Sequence, residues 1–480
     1  VAQGIVGYGV YIPRYRIKRE DIARAWGGRA RGENSVAFSN EDALTMAAEA
    51  ALNAVEQAGL DPGAIDAFYL ATDSSPYMEH SVVRAIGDVL RLKPELEIAD
   101  FTTSPRAGAA ALKSCQDALK AGSISYGLVV AADSRPVSPG SDEELAGGAA
   151  AAAFLLGKQG AIAEIEASYT YSSYFIDSWR GAGQASVRSH EPRFTREYGY
   201  TAHIVQAVQG LLRRLERKVE DFSYVVLQQH PDERVVRGAA RALGISPQQL
   251  EKGSLGAVVG DTGCASAPLG LAAVLEQAAP GEKILTVFYG SGIADALSIV
   301  VTEAAKKVSP PVPSLQQYLS SKEYIDYLSF ARMRGLLEKA EAAAKMWVPP
   351  VSPQWWRDGS AIRRLVGARC TRCGYVNFPP TLRRICIRCG SQEFTEFQRS
   401  RRGKIHTFCV NIYNPPGVES PLPVIIADME DGTRYKTLGT EMKLEEIKID
   451  LPVELVWRRI GEEEGVGAYA YVFRPPRQVG

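Results

Sequence analysis

Two patterns of apolar and polar positions alternate along the first 305 or so residues. Short apolar runs that end in polar residues predict strands: "AFYLATD" (67–73), "YGLVVAAD" (126–133), "YVVLQQH" (224–230) and "KILTVFYG" (283–290). Between them lie longer segments with helical spacing: "NEDALTMAAEAALNAVEQAG" (40–59), "PRAGAAALKSCQDALKAG" (105–122) and "APLGLAAVLEQA" (267–278). Strand–helix alternation predicts an α/β class. The pattern also repeats. "DPGAIDAFYLATDSS" parallels "KVEDFSYVVLQQHPD", "FTTSPRAGAAALKSCQDAL" parallels "GDTGCASAPLGLAAVLEQA", and "YGLVVAADS" parallels "KILTVFYGSG". The same order of strand, small-residue turn into helix, and strand in both halves predicts a duplicated α/β unit.

The pattern breaks at "KKVSPPVPS" (306–314), where Pro310, Pro311 and Pro313 disfavour helix. A largely helical stretch follows (314–346), then a second connector, "WVPPVSPQWWRDG" (347–359). Beyond residue 400 five short strand-like segments, "GKIHTFCVNIY", "PLPVIIADMEDG", "RYKTLGTEM", "PVELVWRRI" and "AYAYVFRPP", predict a small barrel. The expected division is a large unit over 1–305 with halves of about 1–165 and 166–305, a proline-rich linker and helical arm over 306–350, a cysteine-rich segment over 351–400, and the barrel over 401–480.

Composition narrows the function. Hydrophobic residues make up 46% and charged residues 23%, values of an ordinary globular protein. Lys plus Arg equals Asp plus Glu at 55 each, which argues against a broadly basic nucleic-acid binder. Basic runs such as "RRICIRCG" and "RSRRGK" keep single-strand binding open as a minor alternative. No apolar run reaches the roughly 18–20 residues that span a bilayer. "VAQGIVGYGVYIPRY" reads as a first strand rather than a signal peptide, so a cytoplasmic location is expected.

The seven cysteines are unevenly spread. Cys370 and Cys373 precede a gap of twelve residues, after which come Cys386 and Cys389. Two CxxC knuckles bring four thiolates around one tetrahedral ion, the closed geometry of structural Zn²⁺. An iron site of rubredoxin type has the same ligand needs. Cys115 and Cys264 stand alone, and burial as a small hydrophobe is the first expectation for each.

Eight motifs in order carry a family resemblance: "GIVGYGVYIPRYRI", "ATDSSPY", "DFTTSPRAGAAAL", "VVAADSRPVSPGS…GGAAAAAFLLG", "RFTREYGYTAH", "QQHPDERVVRGAARALG", "GDTGCASAPLGLA" and "YGSGIADAL". The large unit resembles the thiolase superfamily, and within it the archaeal-type hydroxymethylglutaryl-CoA synthases. The resemblance implies a duplicated thiolase-like fold in five layers, αβαβα, with a coenzyme A thioester as substrate. It also implies a homodimer through the thiolase-like unit. The arm, zinc ribbon and barrel resemble the DUF35 family, an OB-fold joined to a rubredoxin-like zinc ribbon. That likeness implies a thiolase partner subunit.

Members of the superfamily use a helix-N-terminal cysteine, a histidine, an asparagine and a proton-moving glutamate. Matching motif to motif places Pro105 at the cysteine, Gln229 at the histidine with His230 beside it, Asp261 at the asparagine and Asp73 at the glutamate. All four depart from the pattern, and proline cannot be acylated. Three readings follow. Aldol or retro-aldol chemistry on an acyl-CoA could run without an acyl-enzyme, with Asp73 as base and His230, Gln229 and Asp261 around the thioester. Cys264, or after it Ser104, could serve as a relocated nucleophile in an acyltransferase. Or the chain could be a silent scaffold for a thiolase. Arg193, Arg196, Tyr198, Tyr200, His203, Gly290 and Ser291 are expected to contact CoA or line the acyl pocket.

Overall fold

The computed structural model describes residues 3–181, 183–184, 186–337, 352–413, 420–463 and 465–477. The end of the predicted arm and the start of the second connector lie outside the described residues. The described residues form two compact units, one within 3–83 and 92–336, the other of 84–91 and the described residues from 337 to 477.

The large unit is built on nine strands: β1 (Gly4–Tyr11), β2 (Ala67–Ala71), β3 (Glu97–Phe101), β4 (Tyr126–Ser134), β5 (Ala149–Gly157), β6 (Ala163–Ser172), β7 (Tyr224–Leu227), β8 (Lys283–Gly290) and β9 (Ile293–Val301). Their order is β7-β8-β9-β6-β1-β5-β4-β2-β3. β4, β5 and β1 run as antiparallel neighbours, as do β8, β9 and β6; β2 lies parallel to β4 as β7 does to β8. The halves therefore repeat one connectivity, joined through the pairing of Ile5 with Ala163.

Four helices complete the layers: α1 (Ala43–Ala58), α2 (Ala107–Ala121), α3 (Ala202–Leu215) and α4 (Ser266–Leu275). α1 packs on β1, β5 and β4, and α3 on β6, β8 and β9, as the outer layers. α4 touches strands of both halves and buries every residue from Ser266 to Val274. A helix apolar on all sides belongs in the middle of a protein. Gly108 of α2 lets the inner pair meet, since a Cβ there would lie 3.2 Å from Pro268. These are the duplicated αβαβα layers.

Local signals explain the ends. Asp42 and Thr45 form a capping box at the start of α1, and Gly59 ends it in the left-handed region at φ 61°. α1 lies unusually close to β1: a Cβ on Gly9 would sit 2.4 Å from Ala54 N. Gly9→Ala is therefore expected to destabilise the large unit by about 1–3 kcal/mol, read as a lowered midpoint of thermal unfolding.

The stretch after the prolines folds onto this unit in pieces. A capped helix covers Leu315–Ser320, and Glu323–Tyr324 pairs in parallel with Tyr15–Arg16. A second helix, Tyr327–Met333, buries Phe330 against Ile17, Ile22 and Val36. As far as residue 337, the arm read from spacing is two short helices and a bridging strand, because its apolar positions find this small cluster.

In the second unit Val366–Cys370, Val376–Asn377 and Phe394–Gln398 form a three-stranded sheet carrying the cysteine knuckles. The five predicted C-terminal strands are present as β10 (Arg402–Asn411), β11 (Leu422–Met429), β12 (Arg434–Leu438), β13 (Pro452–Glu463) and β14 (Val466–Arg474), ordered β12-β11-β10-β13-β14. A bridge from Gly439 to Phe473 brings the edges together into a small, nearly closed barrel. Ile405, Ile425, Leu455 and Phe473 fill it. No described helix is long and apolar enough to cross a membrane.

Candidate active site and metal centre

The polar ends of β2 and β4 meet the turn that enters α4. Asp133, wholly buried on β4, anchors them. Its carboxylate accepts from Thr72 Oγ1 at 3.0 Å, Asp73 N at 2.8 Å, Ser74 N at 3.0 Å, Ser74 Oγ at 2.7 Å and Cys264 N at 2.7 Å. Asp73 differs. Its Oδ1 is buried without a hydrogen-bond partner. Burial first, and then the charges of Asp133 and Asp261, raise its pKa to about 7 against the opposing pull of Arg135 and Arg180. A carboxyl group poised there can take and return protons near neutral pH.

Cys264 lies in the same cluster: a carboxylate oxygen of Asp73, one of Asp133 and the Cys264 sulfur all fall within 4.8 Å of one another. The thiol donates to Ser104 O at 3.3 Å. Burial and the neighbouring Asp133 and Asp73 push its pKa well above the ordinary value. It is therefore held as a neutral S–H, the opposite of an activated thiolate. Cys115 is buried inside α2, and burial raises it to about 12.

A cavity of about 570 Å³ is lined by Pro105, Arg135, Tyr200, Gln229, His230, Asp261, Tyr289, Gly290 and Ser291, among others; Asp73, Asp133 and Cys264 are not among its lining residues, and Arg135 and Asp261, which act on Asp73, connect it to the cluster. Pro105 sits in the turn two residues before α2 rather than in its first turn: Ala107 begins the helix and Arg106 takes the capping position. Arg106 Nε donates to the buried Asp295 at 2.5 Å, tying the turn to β9. A Cβ on Gly290 would strike Ser104 Oγ at 2.2 Å, so β8 comes against this turn only with glycine there.

His230 offers a donor. Its Nδ1 accepts from Asp232 N at 3.0 Å, and burial lowers its pKa despite Asp261, Asp177 and Asp232 nearby. A neutral ring whose Nδ1 accepts carries its proton on Nε2. Gln229 N donates to Ser266 Oγ at 2.8 Å, and its Nε2 to Leu227 O at 3.3 Å. Asp261 accepts from Gly263 N at 3.1 Å and lies 3.7 Å from Arg135. Burial opposes the charge of Arg135, but Asp261, Asp73 and Asp133 outweigh that and hold it above its ordinary value.

The residues expected at CoA divide. Tyr200, Gly290 and Ser291 line the cavity; Tyr200 is wholly buried and its hydroxyl donates to Gln228 O. Arg193, Arg196 and Tyr198 are not among the lining residues, and both arginines pair with Glu197 at the surface. His203 is buried between Ser173 Oγ at 2.7 Å and Gly199 O at 2.6 Å. Asp133, Arg135 and Asp177 are site residues that the sequence reading did not single out. Asp177 accepts from Tyr289 OH at 2.5 Å and Ser291 Oγ at 2.8 Å at the cavity wall. Asp133 had a signal, an ionisable residue in the last positions of an otherwise apolar strand.

In the second unit the four knuckle sulfurs lie within 4.8 Å of one another, with Cys370 to Cys389 at 3.6 Å and Cys373 to Cys386 at 3.4 Å. Tetrahedral Zn–S bonds of about 2.3 Å require similar separations. The two knuckles share one turn: Gly374 N donates to Cys370 O and Gly390 N to Cys386 O, each at 2.9 Å. Both glycines have positive φ, 75° and 73°. The donor set fits a structural zinc ion with all four positions taken by protein.

The likeness to known proteins follows the same two units. The hydroxymethylglutaryl-CoA synthase of Methanopyrus kandleri is 40% identical over 344 residues, covering 70% of this chain and 98% of that enzyme. The chain belongs to the hydroxymethylglutaryl-CoA synthase family. Its relative from Methanocaldococcus jannaschii is 38% identical over 340 residues, covering 69% of this chain and 98% of that enzyme. Among solved structures, MvaS in complex with 3-hydroxy-3-methylglutaryl coenzyme A matches with a TM-score of 0.62 at 20% identity, over 73% of this chain and 95% of that one. The 3-oxoacyl-[acyl-carrier-protein] synthase III of Aquifex aeolicus matches at 0.55 and 21% identity, over 62% and 99%. Outside the synthase-like part, residues 357–395 match the family model of the ChsH2 rubredoxin-like zinc ribbon domain. This member of the synthase family thus carries an added zinc ribbon and barrel.

Proposed function

We propose that this synthase-family protein makes or breaks a C–C bond on an acyl-CoA thioester by aldol or retro-aldol chemistry, without an acyl-enzyme. The observation that carries the reading is the pair of changes at the cluster. Pro105 stands at the helix entrance, and Asp73 is a buried carboxyl raised to about 7 with an unpartnered oxygen. In the cleavage direction Asp73 takes the β-hydroxyl proton, the Cα–Cβ bond breaks, and a ketone or aldehyde leaves. The electron pair moves into the thioester as an enolate, whose oxygen accepts from the Nε2–H of His230. Protonation of Cα then gives the shorter acyl-CoA. In the synthetic direction the same carboxylate removes the α-proton. Arg135 balances the charge of Asp73 and Asp261, and Gln229 closes the wall around the thioester.

The neutral Cys264 thiol argues against the relocated-nucleophile reading. The homodimer and the thiolase partner belong to the same proposal, resting on the family likeness. Acetyl-CoA in D₂O tests the chemistry whatever the second substrate is. The expected result is deuterium at the α-carbon, no adduct on the protein by intact mass, and a Cys264→Ser variant that exchanges within about threefold of the unsubstituted rate. An acyl adduct on Cys264, or no exchange at all, would overturn the proposal.

A further inference from the structure

We propose that Arg334 is a positioning residue for the carboxylate cluster, holding the Ser134–Arg135 turn where Arg135 can face Asp73 and Asp261. Arg334 directly follows the helix Tyr327–Met333, which is seated by its own apolar cluster around Phe330. Its guanidinium reaches the end of β4, where one nitrogen donates to Ser134 Oγ and the other to Arg135 O. The contacts continue inward. Ser134 N donates to Ser74 Oγ at 3.0 Å, and that hydroxyl donates to Asp133 at 2.7 Å. On the other side Arg135 lies 3.7 Å from Asp261.

Two features set Arg334 apart from a surface cation resting on a backbone. It is half-buried where it reaches the end of β4, and desolvation lowers its pKa to about 10. Among the described residues it has no carboxylate within ion-pair distance. A partly desolvated cation without a counter-charge costs stability, so a neutral side chain would serve packing better. What the guanidinium supplies is a rigid fork of donors that spans two acceptors on successive residues, which an ammonium point charge does not reproduce.

The proposal rests on the reading of this cluster as the acid–base centre, and its test separates the two. The charged or ionisable groups that act on Asp73 are Asp133, Arg135, Arg180 and Asp261, with the Cys264 thiol in the same cluster. In the full-length protein the protonated Asp73 carboxyl is followed by infrared spectroscopy across pH, identified by the band lost in Asp73→Asn. Arg334→Met is expected to raise the titration midpoint by about 0.5–1 unit, because an unheld Arg135 stabilises the carboxylate less. Arg334→Lys, which keeps the charge without the fork, is expected to give a shift in the same direction. The pH limb of deuterium exchange should move by the same amount.

A midpoint unchanged in a folded Arg334→Met protein would overturn the positioning role, as would full restoration by lysine. Should the methionine variant fail to fold, the lysine variant carries the test by itself. Absence of exchange in the unsubstituted protein would count against the proposed reaction and leave the infrared comparison standing.

Discussion

Asp73→Asn is expected to slow the exchange of acetyl-CoA α-protons by about 10²–10⁴-fold, the usual contribution of a positioned general base. It should also abolish the rise of rate with pH. Burial and the charges of Asp133 and Asp261 place the Asp73 pKa at about 7. Below that value the carboxyl is protonated and cannot accept a proton, so the rate climbs through neutrality and levels above it. The amide of asparagine fills the same space without titrating. Measuring exchange from pH 5.5 to 8.5 in both proteins checks slope and magnitude together. An intact limb near pH 7 in Asp73→Asn would assign the base to another group.

The same shift has a consequence for stability, of the opposite sign to the usual carboxylate case. An unfolded aspartate titrates near about 3.9. Between that value and about 7 the folded protein holds a proton on Asp73 that the unfolded chain has released. The stability this contributes is present at low pH and lost as pH rises through the folded value. Asp73→Asn should therefore gain stability relative to the unsubstituted protein at pH 8 and gain less at pH 5, while losing activity. Opposed changes of this kind mark a group kept for chemistry rather than for packing.

Removal of the metal is the second large effect. The four sulfurs of Cys370, Cys373, Cys386 and Cys389 stand within 4.8 Å of one another, and only short strands and turns hold the knuckles apart. Four like thiolates without a cation between them repel, and the ribbon has little apolar core to resist. Structural zinc in sites of this kind contributes about 10–16 kcal/mol of apparent binding energy at neutral pH, which is folding energy for the segment it closes. The purified protein is expected to carry about one zinc ion per chain. Cys373→Ser or Cys386→Ser should bring this near zero and expose residues 366–398 to proteolysis. Metal analysis and limited digestion read both. A chain that holds a full equivalent of metal without Cys386 would overturn the four-cysteine site.

Much of the architecture was legible because its causes are local. Apolar runs ending in polar residues mark β2, β4, β7 and β8, and helical spacing marks α1, α2 and α4. The repeat of the two halves appears in the order of those signals. The arm was less legible. Helical spacing over 314–346 does not reveal that Glu323–Tyr324 joins a sheet with Tyr15–Arg16, because that pairing is supplied by residues about three hundred positions earlier. The site divided along the same line. Pro105, Gln229, His230 and Asp261 stand in motifs, and the fold brings them to one cavity wall. Arg193 and Arg196 stand in a motif too, yet they end in surface pairs with Glu197.

By itself, the sequence determined many of the large unit's strands and helices, that the α/β unit is doubled, and that four cysteines can close on one ion. These are properties of residue type and spacing, and they need no knowledge of distant neighbours. Only the tertiary structure decided the ionisation states on which chemistry depends. Asp133 is the hub of the cluster because donors from the end of β2 and the α4 turn converge on it. The Asp73 carboxyl is raised to about 7 because it is desolvated and lies beside Asp133 and Asp261. Cys264 is a neutral thiol because the same carboxylates and a backbone carbonyl surround it. Electrostatic environment is a sum over everything within a few ångströms, and the fold alone chooses those neighbours.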